Sequence, residues 1–348
     1  MGEFVSELFS ISQFAIPLYV ESFSSILLIA LAFNLIVCRD IIMVRTFKTP
    51  LAMAGRFINT LEVRYNRSDL SPKMLINDGV STTIIFAISA IAVGLAFDWL
   101  SKNIPFFWII QAMAIGTLFN LRTYLDQSRV LADAMDRSVE EGRATLALVS
   151  GRDTENMDAP MVARTAVETS ARTLASGVMT PALYFIIFGS AGVFLFKTIN
   201  IASTMIDERS EGMSNFGWGN SRLNELLLIP GGWFTALSLA LSTLPVKGTK
   251  IKSAIVEPLT SAKNYFLKGS GLPVASIAGA LSLKLGGPMQ YEGEEIEAKW
   301  VGKGSVFADA NHVRTARQLF IVACIVLMAC IGLFVFFKIP LPIDILFF

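Results

Sequence analysis

The run from Leu174 to Phe196 has the sequence LASGVMTPALYFIIFGSAGVFLF and is apolar enough to enter a lipid bilayer. Small residues interrupt it near its middle, at Gly189-Ser190-Ala191-Gly192. Two short apolar pieces around a glycine turn favour a re-entrant hairpin over a single crossing, which needs about 20 apolar residues. Non-helical backbone at membrane depth requires protein or water around it. We therefore expect other parts of the chain to surround this run.

Polar motifs flank the run within a block from Leu148 to Trp233, and such groups are costly to bury. The motifs are Ser150-Gly151-Arg152-Asp153-Thr154, Ala166-Val167-Glu168, Gly177-Val178-Met179-Thr180-Pro181, Lys197-Thr198-Ile199-Asn200, Phe216-Gly217-Trp218, Arg222-Leu223 and Ile229-Pro230. We expect a functional site to lie in this block, with the remainder of the chain as membrane scaffold or as a lid beside it.

The composition is that of an integral membrane protein. Hydrophobic residues make up 53% of the chain and charged residues 16%, against about a quarter charged in soluble domains. The net charge of +1 gives no reason to expect nucleic acid as a partner. Cys38, Cys324 and Cys330 are scattered in apolar runs, and His312 is the only histidine. This set predicts neither a disulfide framework nor a zinc or haem site.

Hydropathy predicts an all-α, polytopic membrane protein with one domain, 1–348. The expected segments are full spans at 14–38, 79–100, 105–121 and 319–337, re-entrant or additional spans at 174–200 and 225–245, and a polar cytoplasmic lobe at 246–318. The second of the shorter spans is interrupted by Pro230-Gly231-Gly232.

The distribution of Lys and Arg predicts the orientation. These residues are concentrated in 39–78, 121–173 and 246–318, and the link 101–104 is poor in them. By the positive-inside rule the basic segments face the cytoplasm of a bacterial inner membrane and the N-terminus is periplasmic. Four full spans with two re-entrant hairpins satisfy this pattern, and so do six full spans. Six spans would place Lys197 to Arg222 outside, away from the other polar motifs.

The order of these motifs resembles the CobD/CbiB family, the membrane adenosylcobinamide-phosphate synthases of cobalamin biosynthesis. The resemblance continues through Ser276-Ile277-Ala278-Gly279-Ala280-Leu281, Leu285-Gly286-Gly287-Pro288, Tyr291-Glu292-Gly293 and Val301-Gly302-Lys303-Gly304. It covers most of the chain and is weak before Leu148. It implies an ATP-dependent, amide-forming ligase that joins adenosylcobyric acid to aminopropanol or its phosphate with a divalent metal.

That chemistry needs cationic groups for phosphates, acids for magnesium and a base for the amine. Carried over by the resemblance, the substrate- or phosphate-binding residues are Arg152, Lys197, Asn200 and Arg222. Asp153 and Glu168 would be the catalytic residues if the reaction is retained, and Arg164 also matches the family pattern. ATP and Mg would then be the cofactors, although no ligand set for a metal is identified.

Many acids and amides of the family pattern are replaced in this chain. Where the family pattern has Glu-Asn-Thr, this chain has Arg172-Thr173-Leu174, and where the pattern has an Asp before Gly177, it has Ser176. The Asp of the family's Leu-Asp-Ser-Met is replaced by Ser203, and its Arg-Leu-Asp-Asp by Arg222-Leu223-Asn224-Glu225. The family's Asn-Ala-Gly-Trp-Pro-Glu is replaced by Gly269-Ser270-Gly271-Leu272-Pro273-Val274. Because a magnesium–ATP site is built on carboxylates, we expect it to bind weakly or not at all.

Structural explanations compete with the functional ones for each candidate residue. Arg152 and Asp153 predict a local ion pair, with Asp153 starting a turn or capping a helix. Arg164, Glu168 and Arg172 are spaced four apart, which predicts a salt-bridge ladder on one helix face. A lysine at the end of an apolar helix, such as Lys197, often snorkels to the headgroups. For Arg222 we expect Glu225 as partner.

We therefore expect a divergent CobD/CbiB-type inner-membrane protein that has lost the ligase reaction and acts as a binding or structural subunit of a membrane complex. Its partners would be the lipid bilayer and other proteins, without a cofactor. The alternative is an active synthase that uses ATP and Mg and takes a corrinoid substrate.

Overall fold

The structure is a computed structural model that describes residues 22–37, 50–67, 69–150, 152–207, 215–291, 294–296, 298–337 and 339–341. The described residues are predominantly helical, which confirms the predicted all-α class. Residues 14–21 of the predicted first span and Cys38 lie outside them.

Helices form most of the described chain, joined by short turns. They are α1 (Phe23–Val37), α2 (Pro50–Tyr65), α3 (Pro72–Asn103), α4 (Phe107–Gly116), α5 (Leu121–Arg137), α6 (Val139–Ser150), α7 (Ala159–Leu174), a π turn (Ala175–Met179), α8 (Thr180–Asp207), α9 (Trp218–Ser242), α10 (Ile251–Ser261), α11 (Gly271–Leu281) and α12 (Ala310–Phe336). Short 3-10 turns occupy Ala262–Asn264 and Lys268–Ser270, and the strands are β1 (Leu285–Gly286), β2 (Met289–Tyr291), β3 (Glu294–Ile296) and β4 (Trp300–Val301).

Four described segments are long and apolar enough to cross a membrane: Pro72–Asn103, Ala159–Ile206, Trp218–Ser242 and Ala310–Phe336. The first contains the predicted span 79–100, and the last contains residues 319–336 of the predicted span 319–337. Helix α1 is the described part of the predicted span 14–38.

The predicted span 105–121 is shorter in the structure. Its helix, α4, has 10 residues, about 15 Å, which is half of the roughly 30 Å hydrocarbon core. The helix ends early because Asn34 of α1 donates from Nδ2 to the carbonyls of Gly116 and Phe119, at 3.0 and 2.8 Å. A buried amide thus satisfies the carbonyls that a helix end exposes.

The segment Ala159–Ile206 reverses its direction at Gly189. This residue has φ 61° and ψ −149°, a conformation that is essentially restricted to glycine. The rings of Tyr184 and Phe196 stack with centroids 5.7 Å apart, although residues twelve apart in a straight helix are separated by about 18 Å along its axis. The two parts of α8, 180–188 and 190–207, are therefore the arms of a helical hairpin, which we call the α8 hairpin.

A buried carboxylate from α3 holds the tip of the α8 hairpin. Asp98 accepts hydrogen bonds from the backbone N–H of Ser190 at 3.1 and 3.2 Å and from Nε2 of Gln111 at 2.8 Å. The carboxylate thus caps the second arm as an N-cap side chain would. Close approach depends on Gly94, where a Cβ would lie 2.3 Å from Cα of Ala191.

Helix α9 continues through Pro230, so the interruption predicted at Pro230-Gly231-Gly232 does not occur. The glycines instead allow close packing. A Cβ on Gly231 would lie 1.9 Å from Oγ1 of Thr180, at the start of the α8 hairpin, and one on Gly232 would lie 3.3 Å from the carbonyl oxygen of Gly269. Proline within such a helix is tolerated when neighbouring elements compensate for the lost hydrogen bond.

The segment 246–318, predicted as a polar lobe, contains an apolar helix that is buried along its whole length. This helix, α11, packs on α10, and a Cβ on Gly279 would lie 2.3 Å from the carbonyl oxygen of Ser253. The small residues between Ser276 and Ala280 permit this contact. Beside it, β1 pairs antiparallel with β4, and β2 with β3. Part of the lobe therefore belongs to the main hydrophobic core.

Candidate functional site

The α8 hairpin places the predicted residues Lys197 and Asn200 on its second arm, in a polar group that is buried at Lys197 and half-buried at Asn200. The Lys197 ammonium donates to the carbonyl oxygen of Ser176 at 3.4 Å, and Nδ2 of Asn200 donates to Oδ1 of Asn224 at 3.2 Å. We call Ser176, Thr180, Lys197, Asn200 and Asn224 the hairpin seam. It lies between the π turn, the second hairpin arm and α9.

Lys197 is only 4% exposed, so it does not snorkel to a membrane surface. Within the described residues its hydrogen bond is to a neutral carbonyl, and no carboxylate lies within salt-bridge distance of it. Buried charges in proteins are ordinarily paired or bound to an ion. The hairpin seam therefore holds a cationic group that could receive an anion.

The π turn shapes one side of the seam. Its Gly177 packs on Asn120, whose backbone N–H donates to the Gly177 carbonyl at 3.0 Å. One residue beyond the turn, Thr180 is fully buried and its Oγ1 has no hydrogen-bond partner among the described residues. Single π turns within helices are frequent at functional sites. This one places an unsatisfied hydroxyl one helical turn from Ser176.

The predicted residues Arg152 and Glu168 meet in a second buried group, which we call the Glu168 cluster. The Glu168 carboxylate accepts from Nη2 of Arg152 at 2.6 Å, from the backbone N–H of Gly286 at 2.6 Å and from the Tyr265 hydroxyl at 3.4 Å. The Arg152 guanidinium also lies 5.5 Å from the ring centroid of Phe266. These contacts join the loop before α7, α7 itself, and the segment from α10 to β1.

Burial dominates the electrostatics of the Glu168 cluster. The side chains of Arg152 and Glu168 are 5% and 2% exposed. Burial raises the pKa of the Tyr265 hydroxyl well above its usual range, and the Glu168 carboxylate raises that pKa further. For Arg152, burial lowers the pKa, but the Glu168 carboxylate and Tyr265 outweigh this and leave it raised. Arginine and neutral tyrosine are thus fixed as donors to Glu168.

The predicted ladder of Arg164, Glu168 and Arg172 is wrong. Glu168 faces inward to Arg152, and Arg164 donates to the carbonyl of Val306 and lies 5.5 Å from the Trp300 ring centroid. The spacing puts the three charges on one helix face, but Glu168 and Arg164 bind partners remote in sequence, Arg152 and Val306, instead of each other.

The predicted pair of Arg152 with Asp153 is also wrong, because Arg152 pairs with Glu168. Asp153 lies in the loop before α7, where its Oδ1 accepts from the backbone N–H of Glu155 at 3.1 Å. This is a turn-forming contact of the kind that aspartate commonly makes.

The prediction that Arg222 pairs with Glu225 is confirmed. Nη1 of Arg222 lies 2.8 Å from Oε2 of Glu225, with the two side chains 40% and 24% exposed. This pair lies on α9, where Asn224 of the hairpin seam is also located. The structure thus divides the candidate residues among the hairpin seam, the Glu168 cluster, the Asp153 turn and the Arg222 pair.

The acids among the described candidate residues are engaged by protein groups. Both oxygens of Glu168 are engaged by protein donors. Within the described part of the chain, no group of three His, Cys, Asp or Glu residues is arranged to hold a metal ion. At a position where the family pattern has an acid, Val274 is fully buried in apolar surroundings. Magnesium bound with a nucleotide usually takes one or two carboxylates, and phosphate oxygens and water complete its shell.

Tyr265 and the Gly286 N–H were not identified from the sequence. They are 97 and 118 residues from Glu168 along the chain. Gly286 did carry a signal, since Gly286-Gly287 predicts a turn and both glycines adopt positive φ. Tyr265 carried none. Asp98 and Gln111 were missed as well, although a charged residue within an apolar run is a functional or structural signal.

Comparison with known proteins gives one family. The sequence model of the family described as CobD/Cbib protein matches residues 27–320 of this chain. The chain is 28% identical to the cobalamin biosynthesis protein CobD of Sinorhizobium fredii, covering 80% of this chain and 87% of the relative. It is 29% identical to the protein of that name from Geobacter metallireducens, with 80% and 88% covered, and 27% identical to that from Brucella suis biovar 1, with 82% and 90% covered. No solved structure matches the chain.

Proposed function

This chain belongs to the CobD/CbiB family, and on that premise we propose that it is a cobalamin biosynthesis protein of the bacterial inner membrane that binds a corrinoid precursor without performing the ligase reaction. It would act as a binding or structural subunit of a membrane complex. The relatives named as cobalamin biosynthesis proteins support the pathway. The contacts of Glu168 support the loss of the reaction.

The observation that carries the proposal is the complete internal use of Glu168. A general base must reach the proton that it abstracts, directly or through one water. Glu168 is 2% exposed, and its oxygens accept from Arg152, Tyr265 and Gly286. Proton uptake would break the buried pair with Arg152, which is strongly destabilising. We therefore assign Glu168 a structural role.

The hairpin seam is the part of the site suited to binding. Lys197 is buried without a carboxylate partner among the described residues, next to Ser176, where the family pattern has an Asp. Loss of that acid leaves a cation whose charge a bound carboxylate or phosphate would neutralise. The precursor adenosylcobyric acid carries such a carboxylate. Neutral Asn200 and Asn224 would provide further hydrogen bonds.

The testing experiment combines turnover and binding in one preparation. The purified protein is incubated in detergent with adenosylcobyric acid, aminopropanol phosphate and magnesium–ATP, beside an active family synthase. Corrinoid retained by the protein is measured in parallel by equilibrium dialysis, using its visible absorbance. We expect no product and saturable corrinoid binding. Product above background would refute the loss of the reaction, and absence of binding by folded protein would refute the binding role.

A matched pair of variants locates the binding. Lys197→Met removes the buried ammonium, whereas Lys73→Met removes an exposed one on α3. A hydrogen bond to a charged group contributes about 1.5–3 kcal/mol, so Lys197→Met should weaken corrinoid binding by about ten- to a hundredfold. Lys73→Met should leave binding unchanged. Equal binding by the two variants would contradict the assignment of the seam.

An active synthase is the second candidate, favoured by similarity to the named relatives along most of the chain. In that case Arg152, Lys197 and Arg222 would hold phosphate, and Asp153 and Glu168 would serve the metal or act as base. This candidate predicts that Asp153→Ala and Glu168→Gln abolish turnover while the protein stays folded. The first candidate predicts no turnover to lose and, for Glu168→Gln, a loss of stability.

A further inference from the structure

Helix α10 presents an apolar face to the outside of the protein. Ile251, Ile255, Val256 and Leu259 are 38%, 51%, 41% and 67% exposed. The opposite face, which includes Ala254 and Glu257, is buried. A helix facing water shows the reverse pattern, with polar residues outward. The outer face of α10 is thus built to contact something apolar.

The exposed charged residues that flank α10 in the chain are all lysines. Lys247, Lys250 and Lys252 lie before or at its first turn, and Lys263 follows it. Between Leu244 and Lys268 the only acid is Glu257. Glu257 is buried at 6% exposure and accepts from the Ser261 hydroxyl at 3.0 Å. The chain between Leu244 and Lys268 therefore combines exposed aliphatic side chains with exposed lysines, and its one acid is buried.

The apolar face continues from a helix that is long and apolar enough to span a membrane. On α9, Trp233, Leu237 and Leu241 are 50%, 57% and 43% exposed at four-residue spacing, followed by Leu244 at 70%. The connection to α10 is fixed. The Thr249 hydroxyl donates to the carbonyls of Thr243 and Val246, and the Lys250 N–H donates to the carbonyl of Ala280. Helix α10 is consequently held in a defined position beside the end of α9.

We propose that α10 is an interfacial helix that lies in the headgroup–acyl boundary of an anionic lipid leaflet. Its aliphatic side chains enter the acyl region, and Lys247, Lys250 and Lys252 bind lipid phosphates. Charge complementarity and continuity with the exposed stripe of α9 favour lipid over a second copy of the chain, whose matching face would bring the same lysines together. The start of the 246–318 lobe is then embedded at the membrane surface rather than surrounded by water.

This position has a consequence for the Glu168 cluster. Tyr265 and Phe266 follow α10 closely, and they contact Glu168 and Arg152. Lipid contact at α10 would thus fix one side of the cluster. The inference does not depend on whether the protein performs the ligase reaction.

Depth-dependent quenching tests the proposal. With the native cysteines replaced by serine, a single cysteine is placed at Leu259 or Ile255 and labelled with an environment-sensitive fluorophore. The full chain is then reconstituted in nanodiscs of equal parts phosphatidylcholine and phosphatidylglycerol. A cysteine at Glu140, a polar and exposed position on α6, is the control. We expect labels at 259 and 255 to be quenched by lipids with a nitroxide near the headgroup and protected from aqueous iodide, and the label at 140 to behave in the opposite way.

Substitution of the lysines separates lipid from protein contact. Each lysine near an anionic surface should change the preference of α10 for anionic over neutral lipid by about fivefold. Lys247, Lys250 and Lys252 changed together to Gln should therefore increase iodide access at 259 in anionic discs, towards that seen in pure phosphatidylcholine. The proposal would be overturned if, with the lysines unchanged, iodide reaches the label at 259 as readily as the label at 140. Protection at 259 with disulfide cross-links between copies, and without lipid quenching, would show a protein interface and overturn it equally.

Discussion

Changing Glu168 to Gln should unfold the Glu168 cluster rather than only silence a reaction. Gln keeps the size of the side chain but removes its charge. The Arg152 guanidinium, 5% exposed, is then left buried without a counter-ion. Gln also replaces one of the two acceptor oxygens with an NH2 group. Because each oxygen lies 2.6 Å from a donor, one of these donors would then face another donor. Loss of one partner of a buried pair costs about 3–5 kcal/mol, so we expect a loss of about 3 kcal/mol or more.

The assay is reversible unfolding in mixed micelles, followed by tryptophan fluorescence, and the control is Arg222→Met. That change also breaks an ion pair at close distance, but its side chains are 40% and 24% exposed, and such pairs contribute about 0–1 kcal/mol. The doubly apolar variant Arg152→Met with Glu168→Met should recover much of the lost stability, because neither charge remains buried. If Glu168→Gln lowers stability no more than Arg222→Met does, the structural role of Glu168 is refuted.

Three further changes test the elements around the site. Gly189→Ala forces a side chain into a glycine-only conformation and should cost about 1–3 kcal/mol in the same unfolding assay. Gly332→Ala, within α12 and with nothing within 4 Å of the added Cβ, should leave stability unchanged or raise it by up to about 1 kcal/mol. Equal effects of the two changes would contradict the reversal at Gly189. Gly231→Ala places a Cβ 1.9 Å from Oγ1 of Thr180 and should destabilise the protein. The second change Thr180→Ala should partly restore its stability. A lack of rescue would show that the clash with Thr180 is not the cause of the destabilisation. Burial raises the pKa of Asp309, but hydrogen bonds from His312 and Asn311 outweigh it and leave that pKa below its usual value of 3.8. The stabilisation of α12 by this cap should therefore be present above pH 3.8 and be lost as the pH falls through the lowered pKa. Asp309→Asn should flatten the acid limb of a thermal-unfolding profile.

Much of the fold follows from local sequence, because apolar length alone predicts a membrane span. The span 79–100 lies within α3, and the span 319–337 matches α12 to within one residue at its end. The glycine at 189 similarly predicts a break, since only glycine adopts its conformation readily. The extent of 105–121 was wrong because a helix ends where its carbonyls find other donors. Those donors come from Asn34 on another helix, which hydropathy does not reveal.

The candidate site was less predictable because its partners are remote in sequence. Arg222 and Glu225 are three apart and their pairing was predicted. The spacing of Arg164, Glu168 and Arg172 gave an equally local prediction, and it was wrong. A pair on a helix surface contributes only about 0.3–0.5 kcal/mol, which is too little to compete with a buried carboxylate that accepts three hydrogen bonds from Arg152, Tyr265 and Gly286.

The two buried groups explain why some polar residues of the family pattern remain in this chain. Arg152 and Glu168 connect the loop before α7 to β1 and to the segment after α10, so removing either would leave a buried charge unpaired whatever reaction the protein performs. These contacts give both residues a role in folding. Lys197 is different, because its hydrogen bond to Ser176 does not neutralise its charge. A residue that folding alone does not explain is the better candidate for a ligand contact, and for this reason corrinoid binding by Lys197→Met is more informative than any change to Glu168.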